Sequence, residues 1–109
     1  MNDVALPKPV QAVVNAINEG DTEAFVAAFS TDGRVDDWGR VLNGHDGVRS
    51  WADTDAIGMN ASMNVTKATT TDDVTHLWFD WRSNRFNGTS EAYVTVADDK
   101  VIEFRIPSH

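Results

Sequence analysis

The sequence predicts an α+β domain, with helices packed on one face of a curved, mostly antiparallel sheet, and three observations carry that prediction. Apolar residues in the first half recur at i, i+3 and i+4, the spacing of a helix face, whereas from residue 60 onward they alternate with polar ones, the spacing of a strand buried on one side. The two regimes follow one another, as they do where helices and strands are segregated, and do not interleave as in parallel βαβ units. The 109 residues, 41% of them hydrophobic, suffice for one core and one domain over residues 1–109.

The first helix begins at Pro9, a residue suited to a first helical turn, and places Val10, Val13, Val14 and Ile17 on one face before Gly20 stops it. Asp21 caps a second helix through its side-chain oxygen. Phe25, Ala28 and Phe29 form that helix's apolar face, and residues 30–33 end it. Residues 34–38, set between Gly33 and Gly39, read as a short strand. Helical spacing returns over residues 44–56, with Val48, Trp51 and Ala52 on one face and Gly58 as the stop, which makes three helices in the N-terminal half.

A four-strand meander follows. Ala61, Met63 and Val65 alternate with Ser62, Asn64 and Thr66 up to a turn at Asp72-Asp73, and residues 74–85 form the next strand. Asn87-Gly88 is expected to be a type I′ hairpin turn, because that turn needs positive φ at both central residues and these two types tolerate it. Residues 91–97 return antiparallel. Asp98-Asp99 then leads into residues 100–106, where Ile102, Phe104 and Ile106 alternate with Glu103 and Arg105.

Seventeen acidic residues against nine basic ones give a formal charge of −8, a field that repels phosphate backbones and anionic lipid, so neither nucleic acid nor a membrane is an expected partner. The lack of cysteine removes thiol catalysis, iron–sulfur clusters and cysteine-based zinc sites, and His45 and His76 have no neighbours at metal-ligand spacing. No metal and no cofactor is expected. Nucleophile elbows, phosphate-binding glycine loops and dinucleotide fingerprints are missing as well. Residues 1–7 carry neither the basic start nor the apolar run of a secretory signal, and no apolar stretch approaches the ~20 residues of a membrane span, so the expected location is cytoplasmic.

The order of elements and three short stretches mark a resemblance. Residues 16–21 (Ala-Ile-Asn-Glu-Gly-Asp) join the first two helices, residues 43–49 (Asn-Gly-His-Asp-Gly-Val-Arg) open the third, and residues 99–103 (Asp-Lys-Val-Ile-Glu) open the last strand. With them the chain resembles, over nearly its whole length, the nuclear transport factor 2-like superfamily, in particular its SnoaL-like and ketosteroid-isomerase-like members. The resemblance implies a cystatin-like cone whose sheet wraps round the helices to leave a pocket, and a homodimer formed through the outer sheet face. It does not imply one function, because the superfamily hosts isomerases, cyclases, dehydratases, epoxide hydrolases and binding modules.

Asp37 matches the position of the catalytic base in the ketosteroid-isomerase-like relatives. Alternation puts Val35 and Asp37 on one strand face and Asp36 and Trp38 on the other. If Val35 faces the core, Asp37 does too, and desolvation by an apolar pocket moves a carboxylate toward the range useful for proton transfer. The structural alternative makes Asp36 and Asp37 solvated acids at a strand end, or Asp37 an acceptor for backbone or Trp N–H groups. The oxyanion hole of the steroid isomerases, a Tyr and a protonated Asp, falls at Val13 and Ala92, so that activity is not expected here. Epoxide-hydrolase relatives use an Arg flanked by two carboxylates. The nearest local match, Asp80-Trp81-Arg82, puts Asp80 and Arg82 on the outer face with His76 and Trp78, opposite Leu77, Phe79 and Trp81.

The expected function is therefore a pocket for a small apolar molecule lined by Phe29, Trp38, Trp51, Phe79, Trp81 and Phe104, with Asp37 as base for proton transfer of isomerase, cyclase or dehydratase type. The alternative is a non-catalytic small-molecule-binding or dimeric interaction module. His76, Trp78, Tyr93 and Arg105, an aromatic-polar set on the outer sheet face, form the expected homodimer patch.

Overall fold

A computed structural model describes residues 5–107, so residues 1–7, read as lacking an export signal, fall partly outside the described residues. Helix α1 (Lys8–Glu19) buries Val10, Val13, Val14, Ala16 and Ile17. Gly20 closes it in the left-handed conformation (φ 68°), which lets the Asp21 N–H reach Ala16 O at 2.9 Å and satisfies one of the carbonyls the helix end leaves open. Asp21 Oδ1 then accepts from Ala24 N at 3.0 Å and starts α2 (Thr22–Ala27).

Helix α2 is shorter than its apolar spacing predicts. Phe29 does not extend it but opens β1 (Phe29–Asp37), because Val101 N donates to Ala28 O at 2.9 Å and Phe29 pairs with Val101. Sheet pairing overrides local helical spacing at this point. A strand the sequence reading lacks follows: β2 (Arg40–Asn43), joined to β1 by a tight turn in which Trp38 (φ 56°) and Gly39 (φ 89°) are both left-handed. Four residues on a sheet edge, only one of them half-buried, carry no alternation that could announce them.

Helix α3 (Gly44–Asp55) buries Val48, Trp51 and Ala52, so the three helices are not all N-terminal to the sheet, as α3 comes after two strands. A single 3₁₀ turn (Ile57–Met59) leads into β3 (Ser62–Thr71), β4 (Val74–Arg82), β5 (Asn87–Ala97) and β6 (Lys100–Ile106). The sheet has the order β2-β1-β6-β5-β4-β3, antiparallel throughout except for the parallel β1–β6 pair. Its inner face meets the helices through Val35, Val65, Leu77, Val94, Val101 and Phe104, all buried. No described helix is long and apolar enough to cross a membrane.

The hairpin expected at Asn87-Gly88 is displaced. Asn87 pairs with Arg82 and Gly88 with Trp81, so both belong to β5 and the connection is residues 83–86. Side chains explain the shift: Ser83 Oγ accepts from Arg85 N (3.1 Å) and Phe86 N (2.9 Å), while Asn87 Oδ1 accepts from Ser83 N (3.3 Å). Asn87 closes the loop through its amide instead of forming the turn with its backbone. The turn at Asp98-Asp99 does have both residues left-handed (φ 51° and 65°).

Candidate functional site

Five elements meet around one opening. The end of β1, the last turns of α3, the ends of β4 and β6 and the start of β5 leave a cavity of about 500 Å³ between them, within the range of about 300–1,000 Å³ common for small-molecule sites. Trp51, Phe79, Trp81 and Ile106 line it from the core side, and Trp38 and Phe86 stand at its mouth, 58% and 68% exposed.

Asp37 enters this cavity because Val35, two residues earlier on the same strand face, is fully buried. Its Oδ2 accepts from Trp51 Nε1 at 3.1 Å, a bond that ties the end of β1 to the middle of α3. Trp38 also lines the cavity, although strand alternation assigns it to the outer face with Asp36. The left-handed backbone at Trp38 ends the alternation, and the residue stands at the cavity mouth. Phe29 and Phe104 do not line the cavity. Both are buried one layer behind it, Phe29 against Phe25 (centroids 5.2 Å apart) and Phe104 against Trp51 (5.8 Å).

Three charged residues at the rim were not singled out from the sequence. Arg40 and Arg85 both bind Asp55, Arg40 through Oδ2 and Arg85 through Oδ1 at 3.2 Å, and Arg40 Nη2 also lies 3.9 Å from Asp37 Oδ2. Arg40 is therefore a guanidinium flanked by two carboxylates, Asp37 and Asp55. Asp55 had a signal in the sequence: it is four residues after Trp51, on the same face of α3. Arg40 and Arg85 lie on an edge strand and a loop, where no period identifies them. Val13 and Ala92, near which the resemblance sets the steroid-isomerase Tyr and second acid, are fully buried apolar side chains.

The outer sheet face carries a column of stacked groups. His76 stacks on Trp78 (3.7 Å) and on Tyr93 (4.1 Å), while Lys67 Nζ sits over Trp78 and the Arg105 guanidinium over Tyr93, each 4.8 Å from the ring centre. Glu91 Oε1 lies 2.6 Å from His76 Nε2.

No protein-family model matches the sequence, and no curated protein is significantly similar to it. Solved structures are similar to it in fold. A candidate polyketide cyclase from Sinorhizobium meliloti aligns with a TM-score of 0.82 at 21% identity, covering 93% of this chain and 94% of that one. A protein with a ketosteroid isomerase-like fold from Catenulispora acidiphila, in complex with trimethylamine, aligns at 0.76 and 17%, covering 95% and 87%. A protein from Mycobacterium tuberculosis, in complex with estradiol-17beta-hemisuccinate, aligns at 0.79 and 15%, covering 96% and 95%. At these identities the similarity is one of fold: the chain has the fold of these structures, as the sequence resemblance implied.

Proposed function

We propose that this chain, an α+β fold of nuclear transport factor 2-like type, holds a small, largely apolar molecule in the cavity and uses Asp37 as a base for proton transfer. The observation that carries this reading is one carboxylate, Asp37, set among aromatic side chains and reaching the cavity from a core-facing strand position. Two structural neighbours with small organic ligands, one apolar and carboxylate-bearing and one an alkylamine, support a small-molecule occupant. In the reaction, the Asp37 carboxylate removes a proton from a carbon next to a carbonyl, leaving an enolate, and returns it to the same or a neighbouring carbon. General base catalysis of this kind contributes about 10²–10⁴-fold.

The test is exchange of the α-protons of 2-tetralone in deuterium oxide, followed by proton NMR. Acceleration by the protein, lost in Asp37→Asn, supports the base. Binding without acceleration favours the second reading, a non-catalytic binding module. That reading draws on Val13 and Ala92, which leave no hydrogen-bond donor where the steroid isomerases stabilise the enolate oxygen.

The outer-face column of Trp78, His76, Tyr93 and Arg105 is proposed to seat a second copy of the chain. Its mixture of aromatic and cationic groups is the composition enriched at protein interfaces.

A further inference from the structure

We infer that the cavity selects an organic cation: a protonated amine with an apolar body, whose charged head lies against Asp37 while its body contacts the surrounding rings. The inference rests on the cavity being the ligand site, but not on proton transfer. Its basis is the uneven way the four charges at the cavity are used.

Two carboxylates and two guanidiniums line the cavity, so their formal charges cancel, and which of them remains available to a ligand decides the selectivity. Asp55, with a side chain only 12% exposed, spends both of its oxygens on Arg40 and Arg85. One carboxylate thus faces two guanidiniums, which leaves a net positive charge on the trio, but each guanidinium is more than half exposed, where water screens that remainder. Asp37 is treated differently. Its Oδ2 takes the Trp51 N–H, Arg40 stays at 3.9 Å, beyond hydrogen-bond reach, and its side chain is 25% exposed. Oδ1 remains as an acceptor inside a partly desolvated cavity, where a charge-assisted bond to an ammonium N–H is stronger than one between neutral groups.

The walls suit the same ligand. Trp38, Trp51, Trp81, Phe79 and Phe86 line the cavity, and aromatic rings attract a cation through their quadrupoles while accepting its alkyl or aryl body by ordinary burial. Neutral apolar ligands gain only the second contribution. A carboxylate-bearing ligand meets the negative charge of Asp37, which Arg40 offsets only from 3.9 Å. The formal charge of −8 acts in the same direction at longer range, by concentrating cations near the surface.

Three probes share one apolar body and differ in charge: 4-phenylbutylamine (cationic at pH 7), 4-phenyl-1-butanol (neutral) and 4-phenylbutyrate (anionic). Titration calorimetry of the full chain at low ionic strength is expected to rank them in that order, with the amine about tenfold tighter than the alcohol. Asp37→Asn keeps an oxygen for the Trp51 N–H and is expected to remove most of that difference. Arg40→Gln, which deletes the guanidinium nearest Asp37, is expected to strengthen amine binding and so tests the charge argument with the opposite sign. Equal binding of amine and alcohol overturns the cation preference and leaves the apolar cavity standing. Tighter binding of the butyrate overturns it in favour of the arginines. Failure of all three to bind overturns both the preference and the ligand-site reading.

Discussion

The indole of Trp51 donates from Nε1 to Asp37 Oδ2 at 3.1 Å, and so the most buried tryptophan of the core holds the one cavity carboxylate that comes from the sheet. Trp51 is 1% exposed and stacks against Phe25, so it is fixed by packing before it orients anything. Trp51→Phe keeps most of that packing and removes the donor. It is expected to cost about 2 kcal/mol in urea unfolding, the typical worth of a hydrogen bond to a charged group with some lost volume. The same substitution in an Asp37→Ala background is expected to cost clearly less, and an equal cost in both backgrounds would separate the two residues energetically.

Gly58 sets the approach of α3 to the 3₁₀ turn. A Cβ at this position would lie 1.7 Å from Asp53 O, which is backbone and has no rotamer to yield. Gly58→Ala is expected to destabilise the fold by about 3 kcal/mol, at the upper end of the cost of overpacking. Because the strain falls at the end of α3 that carries Asp55, ligand affinity is expected to fall as well. Thermal melts and titrations of the one variant check both outcomes.

Glu23 on α2 and Arg49 on α3 form an exposed ion pair. The hydrogen bond from Arg49, and then its charge, hold the Glu23 carboxyl below its ordinary value, and the same pairing raises Arg49. A carboxyl depressed in the folded state adds stability that is present above its unfolded pKa and is lost as pH falls through the folded one. Glu23→Gln is therefore expected to lower the Tm slightly at pH 7 and to have no effect below the carboxylate range. Raising the salt at pH 7 is expected to shrink the difference too.

Trp78 and Tyr93 project from the outer face of the sheet, away from the cavity. If they seat a second copy, sedimentation velocity gives a dimer for the native chain and a monomer for Trp78→Ala or Tyr93→Ala, with circular dichroism unchanged. A native monomer at tens of micromolar contradicts the proposed interface.

How much of this was legible in the sequence follows from the kind of signal each residue gives. The faces of α1 and α3 repeat over three turns, and their burial makes Val10, Val13, Val14, Ile17, Trp51 and Ala52 readable from spacing alone. Asp37 was readable because it shares a strand face with Val35. Phe29 was assigned to a helix because its spacing fits one, and only the pairing with Val101, more than 70 residues away, makes it a strand residue. Trp38 was named for the cavity from a face it does not occupy, since its position depends on a left-handed turn that alternation cannot describe. The Asn87-Gly88 signal was real as chemistry, but the Asn87 amide bonded to Ser83 instead. Arg40, Asp55 and Arg85 meet only through tertiary structure, so the rim network became visible only with the fold.

The central claim, that a small molecule occupies the cavity beside Asp37, is tested most directly by the indole N–H signals of the four tryptophans in a proton–nitrogen correlation spectrum, assigned by Trp→Phe substitution. Trp38, Trp51 and Trp81 line the cavity, and Trp78 stacks on His76 on the outer face. Titration with 4-phenylbutylamine is expected to move the first three signals with one common midpoint and to leave Trp78 in place. Movement of Trp78 alone, or of none of the four at millimolar probe, would contradict the account.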